Sequence, residues 1–128
     1  MTIDTEALSQ VWKDGFANRD ADALTNLYHE DGTLLVPGFE PATGHAKIRA
    51  VTETLLAEGI DFAELEPLDL RQSGNLSIEF GLYRFGSKPA DGDPIVDNGK
   101  YLIVHETRGE ITKVIYDCFN SNHSPDQQ

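Results

Sequence analysis

One change of hydrophobic period constrains this chain more than any other feature of it. Before residue 60 the apolar side chains recur at spacings of three and four. Leu8, Val11, Trp12, Gly15 and Phe16 make one helical stripe, and Ile48, Val51, Leu55 and Leu56 make another, with Gly59 placed to end it. Between them Asp20 is positioned to cap a short helix bearing Leu24, Leu27 and Tyr28 on one face. After residue 62 the period falls to two, most clearly where Ile78, Phe80 and Leu82 alternate with Glu79, Gly81 and Tyr83. The pattern predicts strands over 62–72 (interrupted at Pro67), 75–85, 95–107 and 111–119. A shorter strand is expected at 33–36, between an Asp31-Gly32 turn and Pro37-Gly38, with a loop over 39–44.

Helices first and adjacent strands last define an α+β chain, with about three helices packed on one face of an antiparallel sheet. No internal repeat and no linker divides it. A single domain over residues 1–122 is expected, followed by a flexible polar tail over 123–128.

Charge narrows the partners. There are 22 acidic and 10 basic residues, a net charge of −12, and no basic stripe. Nucleic-acid binding depends on basic side chains that displace counterions from phosphates, and anionic membranes repel such a surface for the same reason. No nucleic acid and no membrane partner is expected. The lone Cys118 excludes an intrachain disulfide and any zinc site built on paired cysteines. The start, Met-Thr-Ile-Asp-Thr-Glu, has neither the basic residues nor the apolar run of a signal peptide. A cytoplasmic protein is the expectation.

Motifs with fixed chemistry fail one after another. Asp91, Asp93 and Asp97 suggest part of a calcium loop, but Ile95 stands where an oxygen ligand belongs. His29, His45, His105 and His123 show no metal-ligand spacing, and His29 is expected at a helix end. There is no nucleophile elbow and no phosphate-cradling glycine loop. No metal and no cofactor is expected. What remains is a set of ionisable and phenolic groups on the strands. Glu79, Gly81, Tyr83 and Phe85 share one face, Tyr101, Ile103 and His105 another, and Ile115, Asp117 and Phe119 a third. Alternation alone leaves open which face looks inward. A carboxylate buried among such neighbours is held above its usual pKa and suits acid/base work. Asp117, Glu79 and His105 are therefore the catalytic candidates.

The order of elements and several phrases carry a resemblance. They are Trp12 to Phe16, Asn18 to Leu24, Leu27 to Leu35, Pro37-Gly38, Gly44 to Ile48, Gly81-x-Tyr83, Gly99-Lys100-Tyr101, and Asp117-x-Phe119-Asn120-Ser121. Over about residues 5–122 the chain resembles the SnoaL-like, ketosteroid-isomerase-like members of the nuclear transport factor 2-like superfamily. The resemblance implies a cone-shaped α+β barrel, in which a strongly bent antiparallel sheet wraps a long N-terminal helix. It implies an apolar cavity lined by Trp12, Phe16, Tyr28, Val36, Phe39, Phe62, Tyr83, Tyr101, Phe119 and Asn120, and a homodimer formed through the sheet face. It also implies what is missing. The isomerase's catalytic aspartate falls at Val36 and its tyrosine at Trp12, and its second acid falls within 100–103, where there is no carboxylate. Related cyclases and dehydratases use an acid or histidine on the late strands, and Asp117 is the match here.

Three functions fit these residues. The first is a cofactor-independent isomerase, dehydratase or cyclase acting on a small apolar substrate. The second is a module that binds such a ligand without turnover. The third is a dimerisation or assembly domain. In the first two, the surplus of acids favours a neutral or cationic guest.

Overall fold

A computed structural model describes residues 4–123. Helix α1 (Thr5–Ala17) starts at Asp4, whose carboxylate accepts the Ala7 amide at 3.0 Å. It buries Trp12, Gly15 and Phe16, the stripe its spacing requires. A methyl group on Gly15 would fall 2.6 Å from the side chain of Leu24, so this glycine permits the close crossing of α1 and α2 (Ala21–Thr25). Asp20 caps α2, as expected, by accepting the Ala23 amide at 3.1 Å.

The second helix is shorter than its apolar residues suggest. Leu27 and Tyr28 lie beyond it, and Tyr28 opens strand β1 (Tyr28–Leu35). Asp31-Gly32 is accordingly no turn. It sits inside β1 where the register shifts between Tyr28 and Thr33, a bulge that local turn chemistry imitates. His29, expected at a helix end, is buried in β1 with its Nε2 2.7 Å from the Glu106 carbonyl oxygen. Part of the expected 39–44 loop forms β2 (Ala42–Thr43), which pairs back onto β1. Helix α3 (His45–Ala57) follows. Then come β3 (Phe62–Ser73), β4 (Leu76–Ser87), β5 (Ile95–Arg108) and β6 (Ile111–Ser121).

The six strands form one curved sheet in the order β2-β1-β6-β5-β4-β3. β3 to β6 are an antiparallel meander, as their short connections dictate. β1 joins it parallel to β6, because it reaches that edge by way of the helices rather than a hairpin. Pro67 does not interrupt β3. That strand is an edge, where proline is tolerated, and the register slips between Pro67 and Asp69. β6 continues through Asn120 and Ser121, two residues further than expected. Of the expected tail, His123 is described and residues 124–128 lie outside the described residues.

Burial decides the faces. Ser77, Glu79, Tyr83, Tyr101, Ile103, His105 and Asp117 are buried on the inner side, where α1 packs against β3. Ile78, Phe80, Leu82, Leu102 and Tyr116 point outward and are 41–53% exposed. Among the described residues no helix is long and apolar enough to cross a membrane.

Candidate functional site

Two tyrosines are seated on the inner face by two glycines. Tyr101 pairs with Gly81 across β4 and β5, and two residues further on Tyr83 pairs with Gly99. A methyl group on Gly81 would lie 2.7 Å from the Tyr101 hydroxyl, and one on Gly99 2.4 Å from the Tyr83 ring. Each bare glycine thus gives the facing ring room to lie against the sheet. The Tyr83 hydroxyl donates to Asp97 at 2.9 Å, and the Ser121 hydroxyl donates to the same carboxylate at 2.6 Å. The Tyr83, Phe85 and Phe119 rings meet edge to face in all three pairs, with centroids 5.2–5.6 Å apart.

These rings form one side of a cavity of about 70 Å³ between the helices and the inner sheet face. Trp12, Phe16, Tyr28, Tyr83, Tyr101 and Phe119 line it, as does Asp117. Four residues expected there lie elsewhere. Val36 is buried past the end of β1, and Phe39 is 38% exposed in the turn that follows. Phe62 is buried at the start of β3 under the Lys88 ammonium, 4.4 Å from its ring centroid. Asn120 is exposed because alternation puts it on the opposite face from Asp117 and Phe119. The structure adds Thr52, Leu65, Phe85 and Ile103 to the lining.

The polar chemistry is a row of two carboxyls. Glu79, Ile103 and Asp117 are register partners across β4, β5 and β6. Each carboxyl accepts from a tyrosine: Tyr28 Oη to Asp117 Oδ2 at 2.6 Å, and Tyr101 Oη to Glu79 Oε2 at 2.5 Å. Neither is in an ion pair among the described residues, and no group there is arranged to hold a metal ion. Burial pushes Asp117 up to about 6, opposed by the Tyr28 hydrogen bond and assisted by the charge of Glu79. Glu79 is also raised, by burial against the pull of Tyr101. Both tyrosines are driven up by burial and by their carboxyl partners.

His105 lies one inward-facing position beyond Ile103 and does not line the cavity. It is 2% exposed, and neither ring nitrogen has a hydrogen-bond partner among the described residues. Burial lowers its pKa to about 4, so it is neutral at ordinary pH. The three acid/base candidates therefore separate. Asp117 reaches the cavity, Glu79 reaches it only through Tyr101, and His105 does not reach it.

The SnoaL-like domain family matches residues 10–112 of this sequence. The chain belongs to the SnoaL-like domain family. Its fold is shared with a ketosteroid isomerase-like protein from Erwinia carotovora atroseptica, at 19% identity and a TM-score of 0.77, over 93% of this chain and 94% of the other. An NTF2-like protein with a cystatin-like fold from Novosphingobium aromaticivorans superposes at 20% identity and a TM-score of 0.77, over 96% and 85% of the two chains. No curated protein matches this sequence. The SnoaL-like chain thus has the fold of ketosteroid isomerase-like and NTF2-like proteins. Its chemistry must be argued from its own cavity.

Proposed function

We propose that this chain is a cofactor-independent acid/base enzyme acting on a small, largely apolar substrate, with Asp117 as the group that moves the proton. The observation that carries this reading is the Asp117 carboxyl. It is buried at the cavity wall, bonded to Tyr28 and poised at about 6, where it both takes and returns a proton near neutral pH. In the simplest cycle the Asp117 carboxylate removes a proton from carbon beside a carbonyl. The C–H electron pair moves toward the carbonyl oxygen, and the new carboxylic acid returns the proton at the same or a neighbouring atom. The apolar lining excludes water, which strengthens each of these electrostatic interactions. Isomerisation begins with such a transfer, as do the dehydrations and cyclisations that pass through an enolate.

Exchange of the α-hydrogens of cyclohexanone and 2-cyclohexenone in heavy water, followed by NMR, tests it. Exchange accelerated by the wild type, on a profile rising through pH 6 and reduced about 100-fold or more in Asp117→Asn, is the expected result. Equal exchange in the two proteins removes Asp117 from the reaction. Binding of a ring with no exchange in either protein favours the ligand-binding module.

A second observation favours a homodimer through the outer sheet face. Phe80, Leu102 and Cys118 are register neighbours across three strands, as are Ile78, Val104 and Tyr116. Together they make an apolar strip in which Ile78, Phe80, Leu102 and Tyr116 are exposed, with the exposed Leu82 next along β4. Sedimentation should give twice the chain mass, and Leu102→Glu should return the monomer. A wild-type monomer at micromolar concentration refutes the dimer.

A further inference from the structure

Glu79 is buried, carries no ion pair among the described residues, and does not line the cavity, whereas its hydrogen-bond partner Tyr101 does. A tyrosine hydroxyl has one hydrogen to give. While Glu79 is ionised that hydrogen is committed to the carboxylate at 2.5 Å, and Tyr101 offers the cavity only lone pairs. When Glu79 is protonated the direction reverses. The carboxylic acid donates to Tyr101 Oη, and the tyrosine hydrogen is released toward the cavity. With the acid proton on Oε2, the oxygen already 2.5 Å from Tyr101 Oη, each group has both a donor and an acceptor.

We propose that Glu79 is a positioning residue whose protonation turns Tyr101 from a hydrogen-bond acceptor into a donor, so that a guest presenting a carbonyl oxygen is bound together with one proton. This rests on the cavity being the ligand site but not on turnover there. The proton comes from solvent and is held on the Glu79 carboxyl. The electron pairs do not move beyond the two hydrogen bonds.

The surroundings are consistent with such a switch. On β5 Glu79 faces Tyr101, with His105 two positions beyond Ile103 and neutral above about pH 4. On β6 it meets Asp117, whose charge and that of Glu79 oppose each other, and on β1 Tyr28 is bonded to Asp117. On β3 its register partner is Leu70, while Glu66 acts on Tyr101 and Arg71 is exposed and paired with Asp69. α1 presents Trp12 and Phe16 inward and keeps Glu6, Lys13 and Asp14 exposed. No cation among these holds Glu79 in its charged form, and burial already favours the neutral one.

Cyclohexanone binding to the full chain, measured by calorimetry between pH 5 and 9, tests the proposal. Affinity should be level at the acid end and fall about tenfold per pH unit above the Glu79 pKa, with uptake of up to one proton shown by matched buffers of different ionisation enthalpy. Glu79→Gln keeps a donor toward Tyr101 and should bind at all pH values with the acid-form affinity and no proton uptake. Tyr101→Phe should bind weakly and without pH dependence while melting as a folded protein. Asp117→Asn should shift the midpoint downward yet keep the slope, which separates this proposal from the catalytic reading. Absence of binding, a level wild-type profile, or the same slope in Glu79→Gln overturns it.

Discussion

The Tyr28 hydroxyl donates to the Asp117 carboxyl at 2.6 Å across 89 residues of sequence, tying the first long strand to the last. The bond serves the charged form of Asp117 and so opposes the effect of burial. Tyr28→Phe removes that donor and leaves the ring against Trp12, whose centroid is 5.7 Å away. The Asp117 pKa should then rise further above 6, by about one unit, since a hydrogen bond to a charged group is worth about 1.5 kcal/mol or more. A carboxyl-carbon NMR titration of the wild type and the variant reads this directly. A fall or no change would mean that Tyr28 does not set the Asp117 charge.

Asp117 should also cost stability. Its folded pKa, about 6, stands above the ordinary aspartate value of 3.8, so the folded chain holds this proton more tightly than the unfolded one. The penalty is fully present above about pH 6 and fades as pH falls toward 3.8. Asp117→Asn should therefore stabilise the protein at pH 7.5, by up to about 3 kcal/mol for a two-unit shift, and by much less at pH 4.5. Urea unfolding at the two pH values checks it. Destabilisation at pH 7.5 would show that the carboxylate's contacts outweigh its burial.

The fold was legible because its two hydrophobic periods do not mix. α1, α3 and the four-strand meander lie where their spacings put them. The errors have local causes. Asp31-Gly32 carries turn chemistry but sits in a bulge held by pairing with β6, more than eighty residues away, and no local rule sees that. Pro67 reads as a break until its strand is known to be an edge. Of the site, parity grouped Glu79 with Tyr83, Tyr101 with His105 and Asp117 with Phe119, strand by strand, but not which face was inward. One signal was present and needed only the hairpin register. Gly81-x-Tyr83 and Gly99-x-Tyr101 are the same triplet twice, and antiparallel pairing lays each tyrosine on the other's glycine. The pairing of Tyr28 with Asp117 had no signal, since it depends on where the parallel strand enters the sheet.

His105 should set the acid limit of the fold. Its folded pKa of about 4 lies below the ordinary histidine value of 6.5, so the unfolded chain takes up a proton that the folded chain refuses. Its contribution is whole above about pH 6.5 and is lost as pH falls through 4, a range worth about 3 kcal/mol. The trend is opposite in sign to that of Asp117 over much the same interval. His105→Leu should flatten the fall in melting temperature between pH 6.5 and 4. An equally steep fall in the variant would show that other groups drive acid unfolding.

Gly81 should tolerate no side chain. A methyl group there would lie 2.3 Å from the Glu66 carbonyl oxygen as well as 2.7 Å from Tyr101 Oη. The first contact is backbone of the bulged edge strand, and the second is the hydroxyl that Glu79 holds. Both must shift, and such overpacking typically costs about 1–3 kcal/mol. Gly81→Ala should lower the urea midpoint accordingly, and adding Tyr101→Phe should recover only part of the loss, because the Glu66 contact remains. Full recovery in the double variant would place the whole conflict at the hydroxyl, and no loss in the single variant would mean that the strands separate at little cost.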